Sequence, residues 1–187
     1  MSFRKHNDEG FTGLEAAIVL IAFVVVAAVF SYVVLGAGFF TTQKAQETVY
    51  KGVEQSTANI QMIGNVYGLS TDSGNITRVV FSIGLAPGAP PIDLTGMKIV
   101  FSTPGTPPVI LTQAAANDDT HFSTRLNGNV AYNNQSMQGN DQIEVNFTVV
   151  KVSPNTKMTM ELRPSVGAAL PFSKTAPPTI SATNVLY

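Results

Sequence analysis

The run FTGLEAAIVLIAFVVVAAVFSYVVLGAGFFTTQ, residues 11–43, decides the fold. From Ala16 to Gln43 no side chain is charged and none is proline. That stretch exceeds the ~20 residues a bilayer-spanning helix needs. Its Val, Ile, Phe and Ala residues fall on every side of a helix, leaving no polar face. A helix of that kind must be buried in lipid or in a larger assembly. Gly36-Ala37-Gly38 is its weak point, because two glycines permit a kink or the close approach of another helix.

Beyond Lys44 the pattern changes. Val49, Val53, Ile60 and Ile63 recur at helical spacing, with Lys44, Glu47, Lys51, Glu54 and Gln61 between them, which predicts an amphipathic continuation. Glu47 and Lys51 stand four apart in the favourable order. Gly64 and Gly68 are stop signals. The sequence therefore predicts one helix over residues 11–64, about 80 Å long at 1.5 Å per residue.

Residues 65–187 alternate at period two instead. Val79, Phe81 and Ile83 share a face, as do Met97, Ile99 and Phe101 in the next run. Ile143, Val145, Phe147 and Val149 face one way while Glu144, Asn146 and Thr148 face the other. Met158, Met160 and Leu162 alternate with Lys157, Thr159, Glu161 and Arg163. This is the pattern of half-buried antiparallel strands. Turn clusters separate them: Asp72-Ser73-Gly74-Asn75, Ala86 to Pro91, Pro104 to Pro108, and Asn127-Gly128-Asn129. With weaker runs near Val109, Phe122, Val130 and Ile180, the expectation is seven or eight short strands in an Ig-like β-sandwich. The fold class is α+β, a long N-terminal helix followed by an antiparallel sandwich.

Composition narrows the function. The chain has 187 residues with 11 basic and 12 acidic side chains, net charge -1, which gives no reason to propose a nucleic-acid partner. Charged residues make up only 12%, about half the usual ~25%. With no Cys there is no disulfide framework and no thiolate metal site.

Three readings of the N-terminus compete. In the first, Arg4 and Lys5 ahead of a permanent span leave the N-terminus in the cytoplasm and the sandwich outside. In the second, an ordinary secretory signal is cut after Gly38. Its apolar stretch is then longer than the roughly 7–15 residues of such signals. In the third, the cut follows Gly10, ahead of the apolar run, so the helix is kept. Phe11 becomes the new N-terminus and Glu15 the fifth residue. A carboxylate at the edge of an uncharged run needs a partner. The new α-amino group of an adjacent subunit is a natural one, because opposite charges attract strongly in a low-dielectric core. Otherwise Glu15 sits in the headgroup zone at little cost.

Phe11-Thr12-Gly13-Leu14-Glu15-Ala16-Ala17-Ile18-Val19-Leu20-Ile21-Ala22-Phe23 closely resembles the start of mature archaeal flagellins, the archaellins. The likeness continues to Gly38 and, more loosely, into the second half of the helix. It covers about the first third of the chain; the remainder matches in its β-rich, Asn- and Thr-rich character alone. The resemblance implies a homopolymer, the archaellum filament used for swimming, with helices bundled in its core and sandwich domains outside. It implies other archaellins as further partners and cleavage of a 1–10 leader by a prepilin-type membrane peptidase. It also implies a motor and platform at the membrane, and a membrane-held precursor with a cytoplasmic N-terminus. Phe11, Glu15, Gly36 and Gly38 become assembly residues. One departure is that Asp8 and Glu9 precede Gly10, where many leaders carry a basic residue. Bacterial type IV pilins share Gly10, Phe11 and Glu15 but usually carry a C-terminal Cys pair, absent here. An adhesion-type archaeal pilin and a membrane-anchored surface-binding module are the alternatives.

Three tripeptides, at Asn75, Asn134 and Asn146, have the N-glycosylation pattern. The resemblance raises their weight, because archaellins are commonly glycosylated. The sequence predicts no catalytic residues, no cofactor and no metal site. His121 follows Asp118 and Asp119, but no second His or nucleophile motif accompanies them, so a surface turn is the expectation.

Overall fold

The structure is a computed structural model describing residues 6–71, 74–115, 118–126 and 135–187, with side chains from Thr12 onward. It divides between Tyr50 and Lys51 into two compact units. The expected α+β architecture holds: one long helix, then a mostly antiparallel β domain. Helix α1 runs from His6 to Thr57 without interruption, 52 residues, about 78 Å. It passes straight through Gly36 and Gly38.

The helix closes at Thr57, earlier than the expected Gly64, and strand β1 (Ile60–Leu69) begins three residues later. Ile60 and Ile63 fit helical spacing, yet they lie on opposite faces of β1. Ile60 is in the core and Ile63 lies 38% exposed on the outside. Gly64 does not cap a helix; it takes φ 75 in a register shift between Ile63 and Tyr67. The strands accordingly begin at Ile60 and not after residue 64.

Ten further strands follow: β2 (Ile76–Leu85), β3 (Ile92–Asp93), β4 (Lys98–Thr103), β5 (Thr106–Gln113), β6 (His121–Leu126), β7 (Ser136–Met137), β8 (Ile143–Val152), β9 (Lys157–Arg163), β10 (Leu170–Thr175) and β11 (Thr183–Leu186). The four strong alternating runs fall in β2, β4, β8 and β9. Strand β10 was not expected. Its Pro171 argues against a strand, but β10 pairs only with β9 along the sheet, an edge position where proline is tolerated. Pro107 and Pro108, expected in a turn, lie in β5 beside an irregularity in its pairing with β4. The turn expected at Asn127-Gly128-Asn129 and the run near Val130 fall outside the described residues.

Nine strands form one sheet in the order β10-β9-β4-β5-β6-β8-β2-β1-β11, and β3 pairs with β7 alone. All described pairings are antiparallel except β5 with β6, which are parallel over two residue pairs. That brief pairing is a corner at which the sheet folds over. The outer strands then meet: Thr175 N–H donates to Tyr187 O at 2.6 Å and Tyr187 N–H to Thr175 O at 3.3 Å. Strands far apart in the order therefore pack face to face. Phe101 of β4 meets Phe147 of β8 edge-on at 5.8 Å, and Phe172 of β10 meets Phe81 of β2 at 5.4 Å. The result is a sandwich made by rolling one sheet over a core that includes Val79, Phe81, Phe122, Phe147, Met160 and Leu162.

The join to α1 is packed within the second unit. Ala58 continues the helical bonding, its N–H donating to Glu54 O at 2.9 Å, and is buried. Gly167 (φ 102), in the β9–β10 loop, lies so close that a Cβ there would fall 1.8 Å from the Ala58 carbonyl oxygen. Glycine is required there on both counts. Ser165 fastens the same loop by donating its hydroxyl to Asp93 O at 2.9 Å.

Candidate functional site

The feature that sets this chain apart is α1. Every side chain from Thr12 to Thr57 is exposed within the chain. Phe23 (70%), Tyr32 (80%), Leu35 (60%) and Phe40 (64%) point to different sides and are covered by nothing. It is also a helix long and apolar enough to cross a membrane. Val, Ile and Phe have lower helix propensity than Ala or Leu in water. Away from water the ranking matters less, because a helix satisfies every backbone N–H and C=O within the segment.

Four threonines of this helix are arranged to tolerate drying. Thr41 Oγ1 donates to Ala37 O at 2.8 Å and Thr42 Oγ1 to Gly38 O at 2.9 Å. Thr48 and Thr57 repeat the pattern on Lys44 O and Val53 O. Each hydroxyl spends its hydrogen on its own helix, so it can be dehydrated without an orphaned donor. This device went unread in the sequence, although Thr41 and Thr42 beside the apolar run were the visible signal. An ion pair follows directly: Lys44 Nζ to Glu47 Oε2, 2.8 Å.

Gly10, Phe11 and Glu15 all lie in the N-terminal part of α1. A Cβ added at Gly36 or Gly38 would meet nothing within 4 Å. The glycines are therefore not needed for packing inside this chain.

The sequons separate. Asn75 sits half-buried at the start of β2, with Ser153 Oγ donating to its Oδ1 at 3.5 Å. Asn146 departs from its expected outward position. It is 6% exposed, and its Oδ1 has no partner in the described structure. Alternation placed it correctly on the non-core face, but the face is closed at that point, where its register partner Ser123 on β6 is buried as well. Asn134 lies outside the described residues.

Asp118 and His121 form the expected surface turn. Asp118 Oδ1 accepts the Thr120 N–H at 2.7 Å, the Thr120 hydroxyl at 2.8 Å, and a contact from His121 Nδ1 at 2.7 Å. The backbone N–H of Thr120, then its hydroxyl and His121, hold the Asp118 carboxyl down at about 2. Among the described residues no three His, Asp or Glu side chains gather as a metal site.

A self-contained β domain attached to a helix that is apolar on all sides and covered by nothing in its own chain defines a class: subunits that bury the helix against copies of one another. A family model described as archaeal-type flagellin matches residues 10–174. Probable flagellin 1 of Archaeoglobus fulgidus is 40% identical over 200 aligned positions, covering all of this chain and 98% of the relative. The solved archaeal flagellum of Methanospirillum hungatei superimposes with a TM-score of 0.73 at 33% identity, covering 94% of this chain and 99% of the other. Flagellin FlaB1 of Methanocaldococcus jannaschii shares the fold, with a TM-score of 0.57 at 15% identity over 69% of this chain and 96% of the other. The chain belongs to the archaeal-type flagellin family.

Proposed function

We propose that this chain is an archaellin, a non-enzymatic structural subunit that polymerises through α1 into the extracellular archaellum filament of a swimming archaeon. The observation that carries this is α1 itself, apolar on every side and uncovered from Thr12 to Thr57.

The physics of assembly follows from the residues. The precursor stores α1 in the bilayer with its N-terminus in the cytoplasm. Cleavage between Gly10 and Phe11 by a prepilin-type peptidase removes residues 1–10, a polar segment that could not enter a dry bundle. The family match begins at Gly10, which supports that boundary. Leaving lipid for a helix bundle brings little net hydrophobic gain, since lipid is as apolar as valine. The drive comes from close packing, helped where Gly36 and Gly38 leave backbone reachable, and from pairing of Glu15 with a neighbour's new α-amino group. The non-closing contact among such helices gives an open filament. A motor and platform at the membrane would assemble and turn it, and other archaellins would be co-subunits. Asn75 and Asn134 are the better sequon candidates; the buried Asn146 could accept a sugar only before the domain folds.

Intact-mass and N-terminal analysis of protein sheared from cells tests this reading. A start at Phe11 in fibres is the expected result. A start at Phe39, or residues 1–10 retained in a membrane fraction without fibres, would sink it. Loss of swimming on deletion separates an archaellin from an adhesion pilin.

A further inference from the structure

Between Ala16 and Phe40 the side chains of α1 carry polar atoms at two positions, Ser31 and Tyr32. Neither hydroxyl has a hydrogen-bond partner among the described residues. The two differ in what they can do alone. A serine can turn its hydroxyl to the carbonyl four residues back, here that of Ala27. Thr41 does this on Ala37 O at 2.8 Å and Thr42 on Gly38 O at 2.9 Å. A tyrosine cannot, because its rigid ring holds the hydroxyl a full side-chain length from its own backbone. On a helix the ring also leans over the preceding turn, where Val25, Ala28 and Val29 offer no polar side-chain atom. Tyr32 is 80% exposed, so its hydroxyl is open to whatever surrounds the helix.

We infer that the Tyr32 hydroxyl donates a hydrogen bond to α1 of a neighbouring copy, and that this bond is a positioning contact that fixes how the helices lie along one another. The inference rests on the filament reading above. In the precursor the hydroxyl needs no protein partner. Tyr32 stands seventeen residues after Glu15, about 25 Å along the helix and so near the outer edge of a bilayer core of about 30 Å. A tyrosine at that depth reaches the wet headgroup layer. The bundle closes that outlet. With Ala16 to Gln43 dry, an unbonded hydroxyl would be a penalty repeated in every subunit. Thr41 and Thr42 escape it within their own helix, whereas Tyr32 escapes it only through another chain, and the bundle is made of copies. Acceptors are at hand there. Each helical carbonyl keeps a second lone pair, and no side chain shields the backbone at Gly36 and Gly38. Branched aliphatics pack in more than one register, while a single directional contact selects one.

Tyr32→Phe removes the hydroxyl and keeps the ring, so the sign of its effect decides. Co-expressed with the unsubstituted chain, the variant is counted by mass spectrometry in the cell membrane and in sheared filaments. Its share should fall at least about threefold from membrane to filament, because the bond is lost only on assembly. An equal share means that the hydroxyl is wet in the filament, and a larger share that it is buried without a partner. Either result overturns the proposal. Competition of this kind gives a reading even where the variant alone assembles poorly. A second readout follows the hydroxyl itself. The infrared difference between unsubstituted and variant-containing filaments isolates Tyr32 among the five tyrosines. A phenol C–O band at the position of a hydrogen-bond donor supports the contact, and one at the unbonded position overturns it. If the unsubstituted chain forms no filament, the filament reading fails first, and that failure is visible before any variant is compared.

Discussion

The helix and the β domain are both rich in valine, isoleucine and phenylalanine, and they dispose of them in opposite ways. In the domain, Phe81, Phe122 and Phe147 are at most 1% exposed, and strands pair to cover them. In α1, Phe23, Phe30, Phe39 and Phe40 are 64–70% exposed. At ~25 cal/mol per Å² of apolar surface, the domain gains its stability from its own chain. The helix can gain its own only from something outside it, first lipid and then other subunits. One chain thus contains a part that is finished by folding and a part that is finished by assembly. Substitutions should sort by which part they strike.

The sharpest break in that contrast should come from a charge in the middle of α1. Val29→Asp places a carboxylate where each such residue costs ~2.5–3.5 kcal/mol in a membrane helix, and every subunit would carry it. Fibres should vanish in electron micrographs of sheared material, while the β domain keeps its near-ultraviolet circular dichroism.

A core truncation should do the reverse. Phe147→Ala removes a ring at 0% exposure that meets both Phe81 and Phe101. It should cost ~3–5 kcal/mol of domain stability, read as a lower denaturation midpoint, while the membrane insertion of the precursor is unchanged. Gly167→Ala strikes the join. With φ 102 and a Cβ 1.8 Å from Ala58 O, it should cost ~1–3 kcal/mol and speed proteolysis near Ala58.

These expectations also show how much was readable beforehand. The helix was legible because an uncharged run from Ala16 to Gln43 admits few other structures. The strong strands were legible because one of their faces is core. The junction was misread because Ile60 and Ile63, three apart, satisfy a helical stripe as well as two faces of a bulged strand. The pairing of β1 with β2 and the packing of Ala58 against Gly167 are long-range contacts that the local pattern does not carry. Strand β10 was hidden by Pro171, and the start of β5 by Pro107 and Pro108, since proline is also tolerated at edges and irregular pairings. Of the site residues, alternation told which face Asn146 occupies but not that the face is covered there. The roles of Glu15, Gly36 and Gly38 depend on neighbouring chains, so one chain's contacts are silent about them.

The smallest effect expected is on pH dependence. The Asp118 carboxyl is held below its ordinary 3.8, at about 2, chiefly by the Thr120 N–H. A lowered carboxyl contributes stability above its unfolded value, and that contribution is lost as pH falls from about 4 through about 2. Asp118→Asn should therefore flatten this part of the acid limb of the stability profile slightly and leave filament yield at neutral pH unchanged. An unaltered acid limb would mean that this exposed turn contributes nothing measurable.

The most direct test of the contrast is a cryo-EM reconstruction of filaments sheared from cells expressing this chain. The account predicts α1 helices from adjacent subunits packed together at the filament axis, Ala16 to Gln43 screened from solvent, and β domains outside. A filament held together by β domains alone, with α1 absent or lying on the surface, would contradict it.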